Sequence, residues 1–315
     1  MSDALAPAWT LPADLAGARI ALVHDWLTGM RGGEKVLDLL CAILPHADVY
    51  TMVHVRGSVS ARIEARLRGR AFVNRVPGAG RWYRHLLPLF PTAIEQFDLD
   101  GYDLVVSTSH CAAKSSVAPG RARHLCYCFT PMRYAWDQFE AYFGPERLGR
   151  LSHVLRPVLG RLAAWDASTA HRPHRYLAIS QYVAGRIGRY YNRRSAVVFP
   201  PVDTTFYHPG EPAARSGCLV VSALVPYKRV EVAVAACQMA GERLTVVGSG
   251  PEAERLRQLA GPQASFLGWR TDEEIRALYR TARAVLLPGE EDFGIVPVEA
   301  MACGTPVVAL AAGGA

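Results

Sequence analysis

At 315 residues the chain is long enough to bury two hydrophobic cores, and a composition 50% hydrophobic with 20% charged residues excludes a disordered or low-complexity protein. A formal net charge of +7 points to anionic partners, while no RNP-like, zinc-finger or helix-turn-helix pattern accompanies it, so nucleic acid is the least favoured of them. Seven cysteines without a paired framework or zinc spacing exclude a disulfide-stapled scaffold and read as free thiols.

Residues 1–20 contain Asp3, Pro7 and Pro12 and no continuous apolar run, so no secretory signal is expected and the implied compartment is a reducing cytoplasm. Ala18 to His24 is apolar enough for a central strand, and Glu34 to Leu44 carries helical spacing. Gly32 and Gly33 fall at the turn between them, where missing side chains let backbone N–H groups approach a ligand. His24 and Asp25, at the strand end, form a candidate polar pair for a cleft, with a purely structural pair as the alternative.

From His54 to Phe90 eight arginines face one acid, Glu64, and from Arg147 to Arg175 six more face only Asp166. Within the first zone, Trp82, Tyr83, Leu86, Leu87, Leu89 and Phe90 mix with arginine, which suits a segment resting on an anionic membrane surface. Pro88, Pro91 and its shortness exclude a spanning helix; a core helix with a basic outer face is the alternative. Asp98-Leu99-Asp100 imitates a metal-gripping acid pair but precedes a strand at Asp103 to Ser107, so it reads as a turn, and no metal site is expected. Cys126 and Cys128 are one residue apart, hence on one face of a strand.

Four prolines between Phe199 and Gly217 mark a linker, giving expected domains of 1–205 and 206–315. Strands alternate with helices on both sides of it, so the expected fold is α/β, two doubly wound parallel sheets facing a cleft. Apolar runs near 219–223, 244–247, 265–267, 284–287 and 306–310 predict five strands in the second domain.

The densest chemistry lies near the end. Arg283 to Pro288 reads as a buried strand, Glu291 sits on the loop after it, and Ile295 to Cys303 has helical content with Pro297 confined to the first turn. An oxyanion can dock on the unpaired N–H groups of such a helix start, and Gly294 leaves room for it. Glu299, inside the helix, can accept from two neighbouring hydroxyls, as a ribose diol presents them. Together these features suggest a nucleoside diphosphate bearing a sugar; two ordinary solvated glutamates are the alternative.

The string GEEDFGIVPVEAMACGTPVV closely resembles the E-x7-E signature of the family 4 glycosyltransferases, which have the two-domain GT-B fold and retain anomeric configuration. The resemblance implies that Glu291 contacts the donor sugar, that Glu299 holds the ribose, and that backbone N–H groups of Phe293, Gly294 and Ile295 face sugar and phosphate. VSALVPYKRVEVAV and LTVVGSGPEAERL resemble the opening of the family's donor domain, which implies donor-side roles for Lys228, Arg229, Gly248 and Gly250. ARIALVHDWLTGMRGGEKVLDLL looks like the family's first strand, glycine loop and helix, and so places Gly32 and Gly33 by the donor. HLCYCFTPMRYAWD and YLAISQYVAGRI resemble the mannosyltransferase-like branch that serves O-antigen and exopolysaccharide assembly.

The chain departs from the family pattern at two places. Ala223 and Leu224 stand where many members carry an arginine, and Phe129 stands where many carry a histidine near the donor sugar. The resemblance also implies a further strand-helix unit and a terminal helix beyond Ala315, so a truncated donor domain is expected.

The function these readings imply is a retaining, metal-independent transferase. It moves mannose from GDP-mannose, a co-substrate with no bound cofactor, onto a lipid-linked saccharide, at the inner face of a membrane. Lys228 would counter the diphosphate charge, and His24, Asp25, Arg133, Tyr134 and Asp137 would stand on the acceptor side, with Trp136 in the core. A nucleotide-sugar epimerase of the same fold and a non-enzymatic protein binding anionic surfaces are the alternatives.

Overall fold

The computed structural model describes residue 15 and residues 17–315, apart from 138, 146–148 and 212–213. The leader reading of residues 1–14, and Arg147 of the second basic zone, lie outside the described residues. Two compact units divide the chain, Met1–Phe199 and Pro200–Ala315.

Unit 1 is a seven-stranded, all-parallel sheet. Its strands are β1 (Ile20–Leu27), β2 (Asp48–His54), β3 (Leu67–Arg70), β4 (Leu104–Ser109), β5 (Arg123–Cys128), β6 (Arg175–Ala178) and β7 (Ser195–Val197), in the order β3-β2-β1-β4-β5-β6-β7. Every residue of β1 is buried, as a central strand covered on both faces requires. Ala21 and Val23 enter one core with Phe90 and Leu159, whereas Ile20 and Leu22 enter the other with Leu37 and Cys41, so the period of two in this strand feeds two layers. Leu37 and Cys41 are one turn apart on helix α1 (Gly32–Ile43). Two further crossover helices follow, α2 (Leu151–Ser168) and α3 (Gln181–Tyr191); the Ser180 hydroxyl caps α3 by accepting from the Val183 N–H at 3.1 Å.

Unit 2 holds the five predicted strands, β8 (Cys218–Val221), β9 (Leu244–Val247), β10 (Ala264–Gly268), β11 (Ala284–Leu287) and β12 (Val307–Ala309), all parallel in the order β10-β9-β8-β11-β12. Its helices are α4 (Val230–Ala240), α5 (Ala253–Leu259), α6 (Asp272–Thr281) and α7 (Ile295–Ala302). Val220 and Val246 pack with α4 and α5, while Leu219 and Val285 pack with α6 and α7. A capping box starts α6: Thr271 Oγ1 accepts from the Glu274 N–H at 3.3 Å, and Glu274 Oε2 accepts from the Thr271 N–H at 2.8 Å.

The segment expected to rest on a membrane is split between inside and outside. It forms helical turns at Ala79–Trp82 and Tyr83–Leu89 and a short helix at Phe90–Glu95, and Tyr83, Leu87 and Phe90 point into the unit 1 core. Trp82 and Leu89 are exposed. Asp98 is a turn residue whose Oδ1 accepts from the Asp100 N–H at 3.0 Å. All seven cysteines are free, with Cys126 and Cys128 buried together on β5.

Candidate functional site

In an open parallel sheet the strand order reverses at one point, and the loops leaving the carboxyl ends of the two strands there diverge to leave a crevice. Unit 2 has its reversal between β8 and β11. After β8, a helical turn at Pro226–Lys228 is closed by Arg229 in the left-handed region, φ 52° and ψ 38°, a conformation that costs a non-glycine residue roughly 1 kcal/mol or more. After β11, residues 288–294 lead to α7.

Lys228 Nζ on the first loop donates to Glu291 Oε1 on the second, with both side chains 16% exposed. Gly289 makes the approach possible, because a Cβ there would lie 2.7 Å from Lys228 Cα and 2.7 Å from the Tyr227 carbonyl oxygen. Ser222, Lys228, Gly289 and Glu291 line a narrow crevice at this point. Gly294 begins α7 at φ 78° with no side-chain cap, and Pro297 occupies the first turn, so the first N–H groups of the helix, at Ile295 and Val296, receive no cap from the N-cap residue itself. Phe293 is half-buried and Arg229 is exposed. Lysine, helix start and carboxylate are the elements from which a diphosphate and its sugar can be held.

Gly248 and Gly250 have a packing reason of their own. A Cβ at Gly248, where φ is 132°, would lie 1.8 Å from the Ser222 carbonyl oxygen, and one at Gly250 would lie 2.2 Å from that of Leu224. The loop after β9 thereby packs directly on the loop after β8, and the Leu224 N–H donates to the Ser249 carbonyl at 2.9 Å. Glu299 is separated from the Lys228–Glu291 pair in its partners. Only 5% exposed, it accepts from Tyr279 Oη at 3.2 Å and from the Tyr207 hydroxyl. Neither tyrosine, nor Gly289, was singled out from sequence; Tyr279 falls on the buried face of α6 and carries only the signature of a core aromatic.

Unit 1 has its reversal between β1 and β4. Asp25 is fully buried there and accepts four backbone N–H groups from the loop after β4: His110 at 2.7 Å, Cys111 at 2.9 Å, Ala112 at 2.6 Å and Ala113 at 2.7 Å. Burial pushes its carboxyl up, and the amides oppose that rise. A carboxylate has about four acceptor positions and four N–H groups take them up, so Asp25 anchors the loop after β4.

His24 is fully buried too; its Nδ1 meets Thr108 Oγ1 at 2.7 Å and its Nε2 has no hydrogen-bond partner among the described residues. Burial, then the neighbouring His110, pushes its pKa down to about 3, so the ring is neutral. Gly33 lies against both His24 and Phe129: a Cβ there would be 3.2 Å from Phe129 Cε2 and 3.5 Å from His24 Cε1. Gly32 opens α1. Two groups here escaped the sequence reading. Glu34 is buried, its Oε2 accepts from the Arg31 N–H at 3.2 Å, and burial pushes its carboxyl up to about 7. His110 stands with its ring 4.2 Å from Trp26 and 6.3 Å from Phe129 and Nδ1 3.3 Å from Asp25 Oδ2.

Arg133, Tyr134 and Trp136 share one helical turn, Arg133–Trp136. Tyr134 is buried in the core against Tyr142, with ring centroids 4.8 Å apart. Arg133 is half-buried. Trp136 stacks on Tyr190 at 4.7 Å and donates to Asp166 Oδ2 at 2.7 Å, and Asp137 pairs with Arg186 at 2.6 Å. Asp166 also pairs with fully buried Lys114 at 3.0 Å, so this turn rests on an internal ion pair.

Residues 215–315 match the family described as Glycosyl transferases group 1. The chain is similar to the D-inositol 3-phosphate glycosyltransferase of Mycolicibacterium gilvum, 31% identical over 47% of this chain and 36% of that protein. The protein of the same name in Mycobacteroides abscessus is 35% identical over 38% of this chain and 32% of its own length. The chain thus spans about a third of the length of these curated relatives. Among solved structures it resembles Anabaena HepE in complex with UDP and glucose, with a TM-score of 0.64, 19% identity, and 94% of this chain and 82% of that one covered. It also resembles sucrose-phosphate synthase from Thermosynechococcus elongatus, with a TM-score of 0.64, 18% identity and the same coverage. These likenesses establish the fold: two doubly wound parallel-sheet units, as in glycosyltransferases of the GT-B class.

Proposed function

We propose that the chain is a retaining glycosyltransferase of family 4, and that the Lys228–Glu291 pair with the opening of α7 receives the diphosphate and sugar of a nucleotide sugar. The observation that carries this reading is the convergence of a lysine, a carboxylate and an uncapped helix start at the reversal of strand order in unit 2, inside the stretch that matches the family. On donor binding Lys228 would exchange the Glu291 carboxylate for phosphate oxygens, and Glu291 would be released to the sugar.

In the reaction, the bond from the anomeric carbon to the diphosphate breaks, and an acceptor hydroxyl forms the new bond on the same face. The acceptor's proton passes to the departing phosphate. Lys228, Arg229 and the first N–H groups of α7 would carry the departing charge; one preorganised donor of this kind is worth about 3 to 4 kcal/mol. Glu299 would fix the ribose. GDP-mannose is the proposed donor and a lipid-linked saccharide the proposed acceptor, resting on the mannosyltransferase-like segments around Phe129 and Tyr182.

The structure has no described helix long and apolar enough to cross a membrane. Peripheral contact with an anionic inner leaflet is supported by Val55, Val76, Trp82 and Leu89, exposed on unit 1 among Arg56, Arg75, Arg81 and Arg84.

Product analysis tests the reading. Incubation with GDP-mannose or UDP-glucose and a polyprenyl-diphosphate-linked saccharide should transfer the sugar with retained configuration. Isomerised donor without acceptor would replace this reading by an epimerase, and no turnover of any nucleotide sugar would overturn both.

A further inference from the structure

Glu299 is the buried acid of α7, and two hydroxyls already reach it. Tyr279, fully buried on α6, donates at 3.2 Å, and Tyr207, 4% exposed, donates from the segment that opens unit 2. The two rings lie 6.1 Å apart, so they approach the carboxylate from different elements. Burial first, and then the Glu299 charge, pushes both phenols up, which leaves them neutral donors at any ordinary pH.

Tyr207 is itself held in place. Its N–H donates to the Asp203 carbonyl at 2.7 Å; beside it, the Arg276 guanidinium lies 4.3 Å over the Phe206 ring and Arg280 Nε donates to the His208 carbonyl at 2.9 Å. Both arginines come from α6, the helix that also carries Tyr279. A carboxylate on a helix can adopt several rotamers, and each free rotor lost on binding weakens the complex. Two fixed phenols hold the group in one orientation. They occupy two of its roughly four acceptor positions.

We infer that Tyr207 and Tyr279 are positioning residues that orient the Glu299 carboxylate and thereby set the preference of the site for a ribonucleotide over its deoxy counterpart. This inference rests on the proposed ribose role of Glu299. It adds a specificity-determining contact from the segment at the start of unit 2, which the sequence reading treated only as a linker.

Calorimetric titration of the full chain with UDP and GDP, and with their 2′-deoxy and 3′-deoxy forms, tests it, because each variant's ribo-to-deoxy affinity ratio is its own control. The unaltered chain should prefer the ribonucleotide, and Glu299→Gln should erase that preference. Tyr207→Phe and Tyr279→Phe, which remove only a hydroxyl, should each lower the ratio by roughly three- to tenfold, the net scale of one ordinary hydrogen bond. A ratio unchanged in both Phe variants while Glu299→Gln abolishes it would overturn the clamp and leave the ribose role standing. A ratio unchanged in Glu299→Gln would overturn the ribose role and the clamp with it. A uniform fall in affinity at constant ratio in the Phe variants assigns the tyrosines to packing alone and also overturns the inference.

Discussion

The two units reverse strand order in the same way yet spend their polar residues differently at that point. In unit 1, Asp25 gives all its acceptor capacity to four backbone amides and His24 is neutral and sealed. In unit 2, Lys228 and Glu291 are partly exposed and bonded to each other. An internal carboxylate that satisfies a loop cannot leave it without orphaning buried donors, whereas a partly exposed ion pair can exchange one partner for a ligand. The first arrangement fixes a loop, and the second leaves a charged pair within reach of solvent.

The comparison breaks most clearly at Asp25. Asp25→Ala orphans four buried N–H groups, and the expected loss exceeds about 4 kcal/mol, close to the whole stability of a domain. It should appear as loss of a cooperative melt, and a variant that melts within a few degrees of the unaltered chain would show that the loop does not depend on this anchor. Lys228→Ala should behave in the opposite way. Its turnover is expected to fall about 10²- to 10³-fold while the melting midpoint moves little. Equal losses of turnover and stability would make the ion pair structural.

Gly248→Ala comes next in size. The added methyl meets the Ser222 carbonyl at 1.8 Å in a backbone conformation that L side chains rarely adopt, so a loss of about 2 to 3 kcal/mol by denaturant titration is expected. Unchanged stability would mean that the two loops part easily.

Acid should act on unit 1 through its histidines. His24 and His124 are both pushed down to about 3 by burial, against about 6.5 in the unfolded chain. The unfolded state therefore binds more protons between those values, and the stability these groups contribute, full above pH 6.5, is lost as pH falls toward 3. Melting midpoints should drop through this window, and His124→Gln should flatten the fall. Glu34 works in the reverse sense with a smaller effect. Its carboxyl is raised to about 7, so its contribution is complete below about 4.5 and disappears as pH rises through 7. Glu34→Gln should stabilise the chain at pH 8 and change little at pH 4.5.

Much of the fold was legible because the strands are continuous apolar runs and the helices between them keep their spacing. The acidic loop and the helix start at Gly294 were legible for a different reason, since Gly, Pro and Glu at fixed offsets describe a backbone. What stayed hidden depends on tertiary approach. Nothing local to Tyr207 or Tyr279 says that their hydroxyls meet at Glu299, and nothing at Gly289 says that a Cβ there would lie 2.7 Å from Lys228 Cα. The sequence around Tyr134 is ambiguous because an aromatic beside arginine fits a binding surface and a core equally well; the structure buries it. Trp82 and Tyr83 show the same ambiguity resolved in opposite directions by adjacent residues, one exposed and one buried.

The central claim is that Lys228 meets the diphosphate of a nucleotide sugar. Calorimetric titration of GDP-mannose and UDP-glucose into the chain and into its Lys228→Ala variant tests it most directly. The account predicts saturable binding of at least one donor to the unaltered chain, and a loss of tenfold or more in the variant at an unchanged melting midpoint. Equal affinity in both proteins, or no binding of either donor, would contradict it.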